Sequence, residues 1–270
     1  MVAGVEAGTC RRIEGRVALV TGSSRGIGAA IALRLATDGA RVVVHGSASP
    51  DRASAVVTAI RERGGIAELV LGDLATPSGP CDVVGKAFEI HGALDILVNN
   101  AAISISRPVA ELSAEVVEGE LALNVRAVLL ATAEFTRRTA SQHGRVINIS
   151  SVAGRYPALG RSVYSASKGA MEAFTRTAAL ELGPRGITVN AVAPGTTVTD
   201  LFEENERKDT KDWRTLFGRW TALGRVGEPG DIADIVAFVA SDEARWLTGA
   251  TIPADGGIIT TGANLAAFVG

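Results

Sequence analysis

A tyrosine and a lysine stand four positions apart in the segment YSASK, at Tyr164 and Lys168. In a helix this spacing places both side chains on one face, one turn apart. A free tyrosine has a pKa of about 10, so very few phenol groups are ionised at neutral pH. A nearby ammonium favours the phenolate, and so does the positive ring of an oxidised nicotinamide. The pair therefore predicts a tyrosine acid/base whose pKa is lowered by its lysine neighbour.

Ser151 follows a short apolar run at 145–149 and lies 13 residues before the tyrosine. A hydroxyl at the end of a strand can donate a hydrogen bond to the carbonyl oxygen of a substrate. Such a donor stabilises the alkoxide that develops when the carbonyl is reduced. Together with Tyr164 and Lys168, this serine predicts proton transfer at a carbonyl or alcohol group.

A glycine-rich loop, TGSSRGIG at 21–28, directly follows the first apolar run and opens the first helical segment. Gly22 and Gly26 would let the backbone approach a pyrophosphate at the positive end of the helix, and Gly28 would let helix and strand pack closely. The spacing is G-x-x-x-G-x-G, which differs from the general dinucleotide fingerprint. A ligand-free turn remains the alternative. The order of strand, loop and helix favours nucleotide binding.

The choice of nucleotide depends on the end of the second predicted strand, where an acidic side chain would bind the ribose 2′-hydroxyl of NAD. This chain has His45, Gly46 and Ser47 there, and Arg25 lies inside the glycine loop. Without a carboxylate to repel it, a 2′-phosphate would meet a cation and hydroxyl donors. We therefore expect NADP(H) to be preferred over NAD(H), although Arg25 also fits a solvated loop arginine.

Seven short runs rich in β-branched residues alternate with longer segments of helical period. Most runs are almost continuously apolar, as in strands covered on both faces, so the alternation predicts an α/β fold with a parallel sheet. The predicted strands are 16–21, 41–45, 66–71, 94–99, 145–149, 187–192 and 250–254.

The composition fits one enzyme-sized domain: 270 residues, 47% hydrophobic, with a formal net charge of −2. This balance argues against nucleic acid as a partner, and no apolar stretch reaches the length of a membrane span. The first residues lack the apolar segment of a signal peptide, so we expect a cytoplasmic protein. Cys10 and Cys81 are far apart, and only three histidines are present, so we expect reduced thiols and no metal.

Six motifs in order make the chain similar to one known family. They are TGSSRGIG, NNAA at 99–102, Asn124 in LALNV, INISS ending at Ser151, YSASK, and APG at 193–195. The chain resembles the short-chain dehydrogenase/reductase family, closest in pattern to its 3-oxoacyl-[acyl-carrier-protein] reductases. The resemblance implies a single-domain Rossmann fold with a doubly wound, seven-stranded parallel sheet over residues 15–270. It also implies a substrate lid near 196–226, and it leaves 1–14 as an N-terminal extension.

The same resemblance implies a role for each matching residue. The catalytic tetrad would be Asn124, Ser151, Tyr164 and Lys168; the lysine would also hold the nicotinamide ribose, and the asparagine would support a water linking Lys168 to solvent. Thr197 replaces the branched aliphatic residue usual in the family. The implied cofactor contacts, besides Tyr164 and Lys168, are Gly22, Ser24, Arg25, Gly26, Ile27, Gly28, His45, Gly46, Ser47, Asp73, Leu74, Asn100, Ala101, Ala102, Pro194, Gly195, Thr197 and Thr199.

Three readings of the function remain open from the sequence. The first is an NADP(H)-dependent oxidoreductase interconverting a free ketone and a secondary alcohol. The second is the acyl-carrier reductase, weakened because Gln142 and Leu180 stand where those enzymes carry arginines, but supported by Arg137 and Arg138 nearby. A remote third is a regulatory protein that binds NADPH without turnover.

The remaining expectations concern the lid and the assembly. Trp213, Phe217 and Trp220 would share one helical face and pack a short helix onto the body. A second pocket edge would carry Arg155, Tyr156 and Arg161. The resemblance implies a homotetramer, with a dimer as the alternative.

Overall fold

The seven strands predicted from the sequence all form, with small differences at their ends. The computed structural model describes residues 13–47, 50–156, 159–200, 202–203 and 212–258. The strands are β1 (Val17–Val20), β2 (Arg41–Gly46), β3 (Ile66–Leu71), β4 (Ile96–Asn99), β5 (Arg145–Ile149), β6 (Thr188–Pro194) and β7 (Thr251–Ala254). The apolar runs of the central strands β1, β4, β5 and β6 are buried on both faces, which explains why they lack the alternation of half-exposed strands, while the edge strands β3 and β7 are partly exposed.

All strands are parallel, in the order β3-β2-β1-β4-β5-β6-β7. The chain moves outward from β1 to β3, then returns to the other side of β1 for β4. Ala18 is consequently paired with Val42 on one side and with Ile96 on the other. The reversal creates a crevice beyond the carboxyl ends of β1 and β4, where open α/β sheets bind their ligands. The fold is the doubly wound Rossmann architecture in one domain.

Eight α-helices in the described residues cover the sheet. They are α1 (Gly26–Thr37), α2 (Pro50–Glu62), α3 (Gly79–His91), α4 (Ala114–Leu121), α5 (Ala127–Arg138), α6 (Ser162–Leu182), α7 (Trp213–Gly218) and α8 (Pro229–Ala240). Helices α1, α2 and α8 enclose one apolar core against the sheet, and α3, α5 and α6 enclose the other. Helix ends match their sequence signals, since Gly183 ends α6 and Pro229 begins α8.

A π-helical turn at Ala122–Arg126 joins α4 to α5. Its wider winding separates the two helices while keeping them almost continuous, and Asn124 lies buried at its middle. Such turns are frequent at functional sites. The family resemblance implies a helical asparagine at this position, and the change in winding is a feature that only the structure shows.

The boundary predicted at residue 14 is too late. Ile13 is buried in the core beside α1, and its backbone N–H donates to the carbonyl of Asp38. Its apolar side chain therefore belongs to the domain. The rest of the predicted extension, residues 1–12, lies outside the described residues, as do 201 and 204–211 of the predicted lid. None of the helices in the described part of the chain is long and apolar enough to span a membrane.

Candidate active site

The glycine loop between β1 and α1 is fixed by contacts that only glycine permits. Gly22 and Gly26 adopt positive φ angles of 63° and 54°. A Cβ atom added at Gly28 would lie 2.4 Å from the Gly22 carbonyl oxygen and 2.5 Å from Asn100 Nδ2. Gly28 therefore allows the close packing of helix and strand that the sequence predicted. Ser24, Arg25 and Ile27, which complete the predicted loop contacts, are partly or largely exposed.

His45 supports this loop from beneath with both ring nitrogens. The Gly22 N–H donates to Nδ1 at 3.0 Å, and Nε2 lies 3.0 Å from the Gly72 carbonyl oxygen, so the proton resides on Nε2. Burial lowers the pKa of His45 and keeps the ring neutral, although Gly72 and Asp73 oppose this effect. Because the ring is buried and fully hydrogen-bonded, the predicted contact of His45 with a cofactor is corrected to a supporting role.

The loop after β4 closes the opposite side of the crevice. Asn100 Nδ2 donates to the carbonyl oxygens of Thr21 and Gly22, and Thr21 Oγ1 accepts the backbone N–H groups of Asn100 and Ala101. These bonds hold Ala101 against Gly22, where an added Cβ would meet the Ala101 Cα at 2.9 Å. The glycine loop and the β4 loop thus form one rigid unit.

The predicted adenine and ribose contacts surround the outer part of the crevice. Asp73 and Ala102 are exposed, and Leu74 is buried at 4% exposure. Asp73 Oδ1 accepts the Ala75 N–H, so its carboxylate orients its own loop. Gly46 is buried at the end of β2, and Ser47 beyond it is exposed. All five remain candidate cofactor contacts by position.

Two arginines meet one carboxylate at this outer rim. Arg25 and Arg52 lie 3.7 and 3.6 Å from Asp200 Oδ2, and all three side chains are exposed. Arg25 was predicted from the sequence, whereas Arg52, at the start of α2, was missed. The available signal was an arginine six residues beyond Gly46, but nothing in its local pattern indicated a ligand. The pair of guanidinium groups makes the rim suited to an anion.

The segment after β6 lines the inner end of the crevice. Pro194 is buried at the end of the strand, and the Gly195 N–H donates to Ala254 in β7. Thr197 is 8% exposed, pairs with Gly227 and donates its hydroxyl to the Gly195 carbonyl at 3.2 Å. Its hydroxyl is thus used within the segment. Thr199 Oγ1 accepts the Phe202 N–H and lies near Gly26, so this segment reaches the glycine loop.

Helix α6 and the end of β5 bring three members of the predicted tetrad together. Lys168 Nζ lies 5.4 Å from the centroid of the Tyr164 ring, which confirms the shared helical face. The ammonium donates to the Ile149 carbonyl at 2.7 Å, so the lysine spans from the helix to the last residue of the strand. Ser151 caps the turn after β5, and its Oγ accepts the Ala153 N–H.

Asn124, the fourth member, holds the β4 loop against α6. Its Oδ1 accepts the Ile103 N–H at 2.9 Å, and its Nδ2 donates to the Ile103 carbonyl and to Ser167 Oγ. The Asn124 side chain therefore connects the β4 loop, at Ile103, to helix α6, at Ser167. The predicted water link to Lys168 stays a prediction.

The protein surroundings of Tyr164 act against the predicted lowering of its pKa, and the contribution of a charged nicotinamide stays a prediction. Burial raises the pKa of Tyr164, and this effect outweighs a hydrogen bond with Ser151 and the charge of Arg161, both of which lower it. Burial also lowers the pKa of Lys168 to about 8, with Glu120 opposing the change. Desolvation therefore moves the two pKa values apart, upward for the phenol and downward for the ammonium, since both neutral forms are favoured inside the protein.

Glu120 is a buried carboxylate near the predicted tetrad that the sequence reasoning missed. It is fully buried in the last turn of α4, and burial raises its pKa, while the Ile105 backbone, Arg161 and Lys168 lower it. The sequence did contain a signal for Glu120. It lies four residues before Asn124, and in a regular helix this spacing places both side chains on one face. Its burial, however, depends on packing between elements that are distant in sequence.

The aromatic cluster of the predicted lid forms as expected. Phe217 stacks on Trp213 at 5.5 Å between ring centroids and meets Trp220 edge-on at 4.9 Å. Phe202 joins the cluster at 6.3 Å. The three rings pack together, but α7 ends at Gly218, so Trp220 joins the cluster from the turn beyond the helix and not from the predicted helical face. Closure over a substrate stays a prediction. At the second predicted edge, Arg155 pairs with Glu172 at 2.8 Å, and Arg161 donates to Ser104.

Comparison with known proteins gives one consistent result. The family model described as short chain dehydrogenase matches residues 16–210. Versicolorin reductase of Emericella nidulans is 38% identical over 255 residues, covering 91% of this chain and 96% of that protein. An uncharacterised oxidoreductase of Methylorubrum extorquens is 43% identical over 251 residues, covering 92% of this chain and 99% of the relative.

A solved structure of the angucycline C-6 ketoreductase LanV, which carries bound NADP, superposes with a TM-score of 0.85 at 36% identity. The match covers 92% of this chain and 97% of that one. Sequence relatives and fold therefore agree with the motifs and geometry described above. The chain belongs to the short-chain dehydrogenase/reductase family of oxidoreductases.

Proposed function

We propose that this protein is an NADP(H)-dependent ketoreductase that interconverts a ketone and a secondary alcohol, with Tyr164 as the general acid/base. The observation that carries the proposal is the placement of Tyr164 and Lys168 on one face of α6. Lys168 Nζ lies 5.4 Å from the centroid of the tyrosine ring and donates to the Ile149 carbonyl, two residues before Ser151. Two hydroxyl groups near one point suit a carbonyl oxygen that becomes an alkoxide. The similarity to the LanV ketoreductase and to a protein named as a reductase supports this substrate class.

The cofactor's nicotinamide, when bound, supplies the hydride that reduces the carbonyl carbon. Ser151 then donates a hydrogen bond to the carbonyl oxygen, and Tyr164 gives its phenol proton to that oxygen as negative charge develops. Lys168 stabilises the phenolate left behind, because an ammonium favours the charged form of a neighbouring acid. The raised pKa of Tyr164 suits the reductive direction, since it keeps the phenol protonated before the reaction.

The crevice fits a phosphorylated dinucleotide in two ways. The glycine loop packs so closely at Gly22 and Gly28 that a side chain there would displace it, and it leads directly into the start of α1, where free N–H groups suit a phosphate. At the rim, Arg25 and Arg52 converge on Asp200, and residues 45–47 at the end of β2 carry no carboxylate that would repel a 2′-phosphate. Both features support NADP(H) over NAD(H).

The acyl-carrier reading gains no support. Arg137 and Arg138, which kept it open, both pair with Glu134 of their own helix. Leu180 is 81% exposed where a carrier-protein reductase would present a cation. A free ketone remains the proposed substrate.

The proposal is tested by following NADPH oxidation with a panel of cyclic and aromatic ketones. We expect turnover in the wild type, and a loss of about 10²–10⁴-fold in kcat for Tyr164→Phe, because the phenol proton is missing. NADPH binding, measured by fluorescence titration, should be retained in the variant. Binding without turnover of any ketone by the wild type would favour the regulatory reading instead.

We also propose a cytoplasmic homotetramer. Ala166, Ala170, Ala173 and Leu180 form an exposed small or apolar stripe along α6, and Leu129 of α5 is exposed at 37%. Trp246, before the edge strand β7, is 98% exposed and offers a second apolar contact. Light scattering coupled to gel filtration measures the mass; a monomer at micromolar concentration would contradict the proposal.

A further inference from the structure

Glu120 has an unusual environment for a carboxylate. Its side chain is wholly buried, and neither carboxyl oxygen makes a hydrogen bond of normal geometry within the described residues. Buried charges in proteins are normally paired, because burying an isolated ion carries a large desolvation penalty. An acidic side chain kept in this position therefore calls for a functional explanation.

The packing of the helices places Glu120 beside the catalytic face. Helix α4 packs against α6, and Asn124, one turn beyond Glu120, donates to Ser167, the residue before Lys168. The charged and titratable groups that act on Glu120 are Arg161 and Lys168, and Glu120 in turn acts on Tyr164. Arg161 already donates to Ser104 in the β4 loop.

Lys168 is a buried ammonium with hydrogen-bonding capacity to spare. Its ammonium has three N–H donors and is 2% exposed, and the Ile149 carbonyl accepts one of them. The other buried carboxylate on α6, Glu172, accepts from Arg155 and from Ser150. Glu120 is the carboxylate among the described residues whose charge acts on Lys168.

We propose that Glu120 is a positioning residue that keeps Lys168 charged, and so keeps it able to stabilise the Tyr164 phenolate. The proposal rests on the proposed function for its catalytic meaning, but the pairing itself concerns only residues of this chain. A carboxylate near a buried ammonium favours the charged form of the lysine, whereas desolvation alone favours the neutral amine.

The consequence has a definite sign. Desolvation already brings the pKa of Lys168 down to about 8, with Glu120 resisting the change. Removing the carboxylate leaves desolvation unopposed, so the lysine loses its proton at a still lower pH. The alkaline limit of ketone reduction should then move toward neutral pH.

Lysine NMR tests the pairing directly and requires no substrate. The chain has four lysines, so a protein labelled at lysine Cε gives a simple spectrum. They are Lys86, Lys168, Lys208 and Lys211. A Lys168→Arg variant assigns the buried lysine by loss of its signal. We expect a wild-type midpoint of about 8 and a fall of about one pH unit in Glu120→Gln.

Glu118→Gln is the matched control, because Glu118 is an exposed carboxylate on the same helix. Its Lys168 midpoint should equal that of the wild type. An unchanged midpoint in a folded Glu120→Gln protein would overturn the proposal. If that variant does not fold, Glu120→Asp retains the charge and should hold the midpoint within about half a pH unit of wild type. A fall of a full pH unit in the Lys168 midpoint of Glu120→Asp would also overturn the proposal.

Kinetics then connect the pairing to the reaction. The loss of kcat for NADPH-dependent reduction in Glu120→Gln, relative to wild type, should be about fivefold larger at pH 9 than at pH 7. A pH-independent loss would indicate a purely structural role and contradict the proposal. If the NMR midpoint moves as expected but the wild type reduces no ketone, the proposed function fails while the pairing stands.

Discussion

The crevice has charged groups at both ends, and they differ in their exposure. At the rim, Arg25, Arg52 and Asp200 lie in solvent at separations of 3.6–3.7 Å. At the catalytic end, Glu120 and Lys168 are buried. Solvent screens the charges at the rim, so each ion pair there contributes little to stability. At the catalytic end, burial makes the interaction between charges much stronger. The rim can therefore select a ligand at small cost, and the interior can set the state of the reacting groups.

The largest effect should come from a substitution in the glycine loop, which lies between the two ends of the crevice. Gly28→Ala places a Cβ 2.4 Å from the Gly22 carbonyl, so the glycine loop must shift. We expect a loss of about 1–3 kcal/mol in the free energy of unfolding and at least tenfold weaker NADPH binding. Denaturant titration measures the free energy of unfolding, and fluorescence titration measures NADPH binding.

Gly119→Ala is the control for that substitution. An added Cβ at Gly119 meets no atom within 4 Å, and the residue lies inside α4. Stability should rise by about 0.5–1 kcal/mol, since alanine favours helix over glycine. Equal effects of the two substitutions would show that the loop tolerates a side chain.

Removing the rim cations should affect one cofactor only. Arg25→Ala and Arg52→Ala should each raise the KM for NADPH about tenfold, because a charge-assisted contact to the 2′-phosphate is lost. The KM for NADH should change little. Arg63→Ala, an exposed arginine just beyond the other end of α2, is the control. Equal losses with NADH and NADPH would exclude a role in selecting the phosphate.

His45, which supports the glycine loop, should make the free energy of unfolding depend on pH. Its pKa is lowered in the folded protein, so the unfolded chain binds more protons below the ordinary value of 6.5. Stability contributed by His45 is therefore complete above pH 7 and decreases as the pH falls. We expect about 1 kcal/mol to be lost between pH 7 and 5.5. His45→Gln should flatten this slope in denaturant titrations; a slope equal to wild type would disprove the assignment.

The smallest effect should follow from the rim carboxylate. Asp200→Asn removes a group that competes with a phosphate for Arg25 and Arg52, so NADPH should bind up to about threefold more tightly. The free energy of unfolding should change by less than ~1 kcal/mol. Titration at low and high salt measures this effect, and weaker binding in the variant would show that Asp200 organises the arginines instead.

The sequence predicted the fold well because its signals are local. Continuous apolar runs become buried strands whatever their neighbours, and glycine loops must turn where a strand meets a helix. The four-residue spacing of Tyr164 and Lys168 similarly depends on one helix.

What the sequence could not predict depends on distant parts of the chain. Arg52 meets Asp200 across 148 positions, and the burial of Glu120 requires α6 to cover α4. The rise in the Tyr164 pKa has the same origin, because desolvation depends on the whole surroundings of a side chain. Local spacing indicated which groups react, but their electrostatic environment came from tertiary packing.

The distribution of indole rings gives this protein a built-in optical signal. Of its three tryptophans, Trp213 and Trp220 belong to the aromatic cluster of α7, while Trp246 lies at the surface near β7. A Trp246→Phe chain would emit only from that cluster. Rearrangement of the segment on ligand binding could then be followed by stopped-flow emission, without attaching any dye.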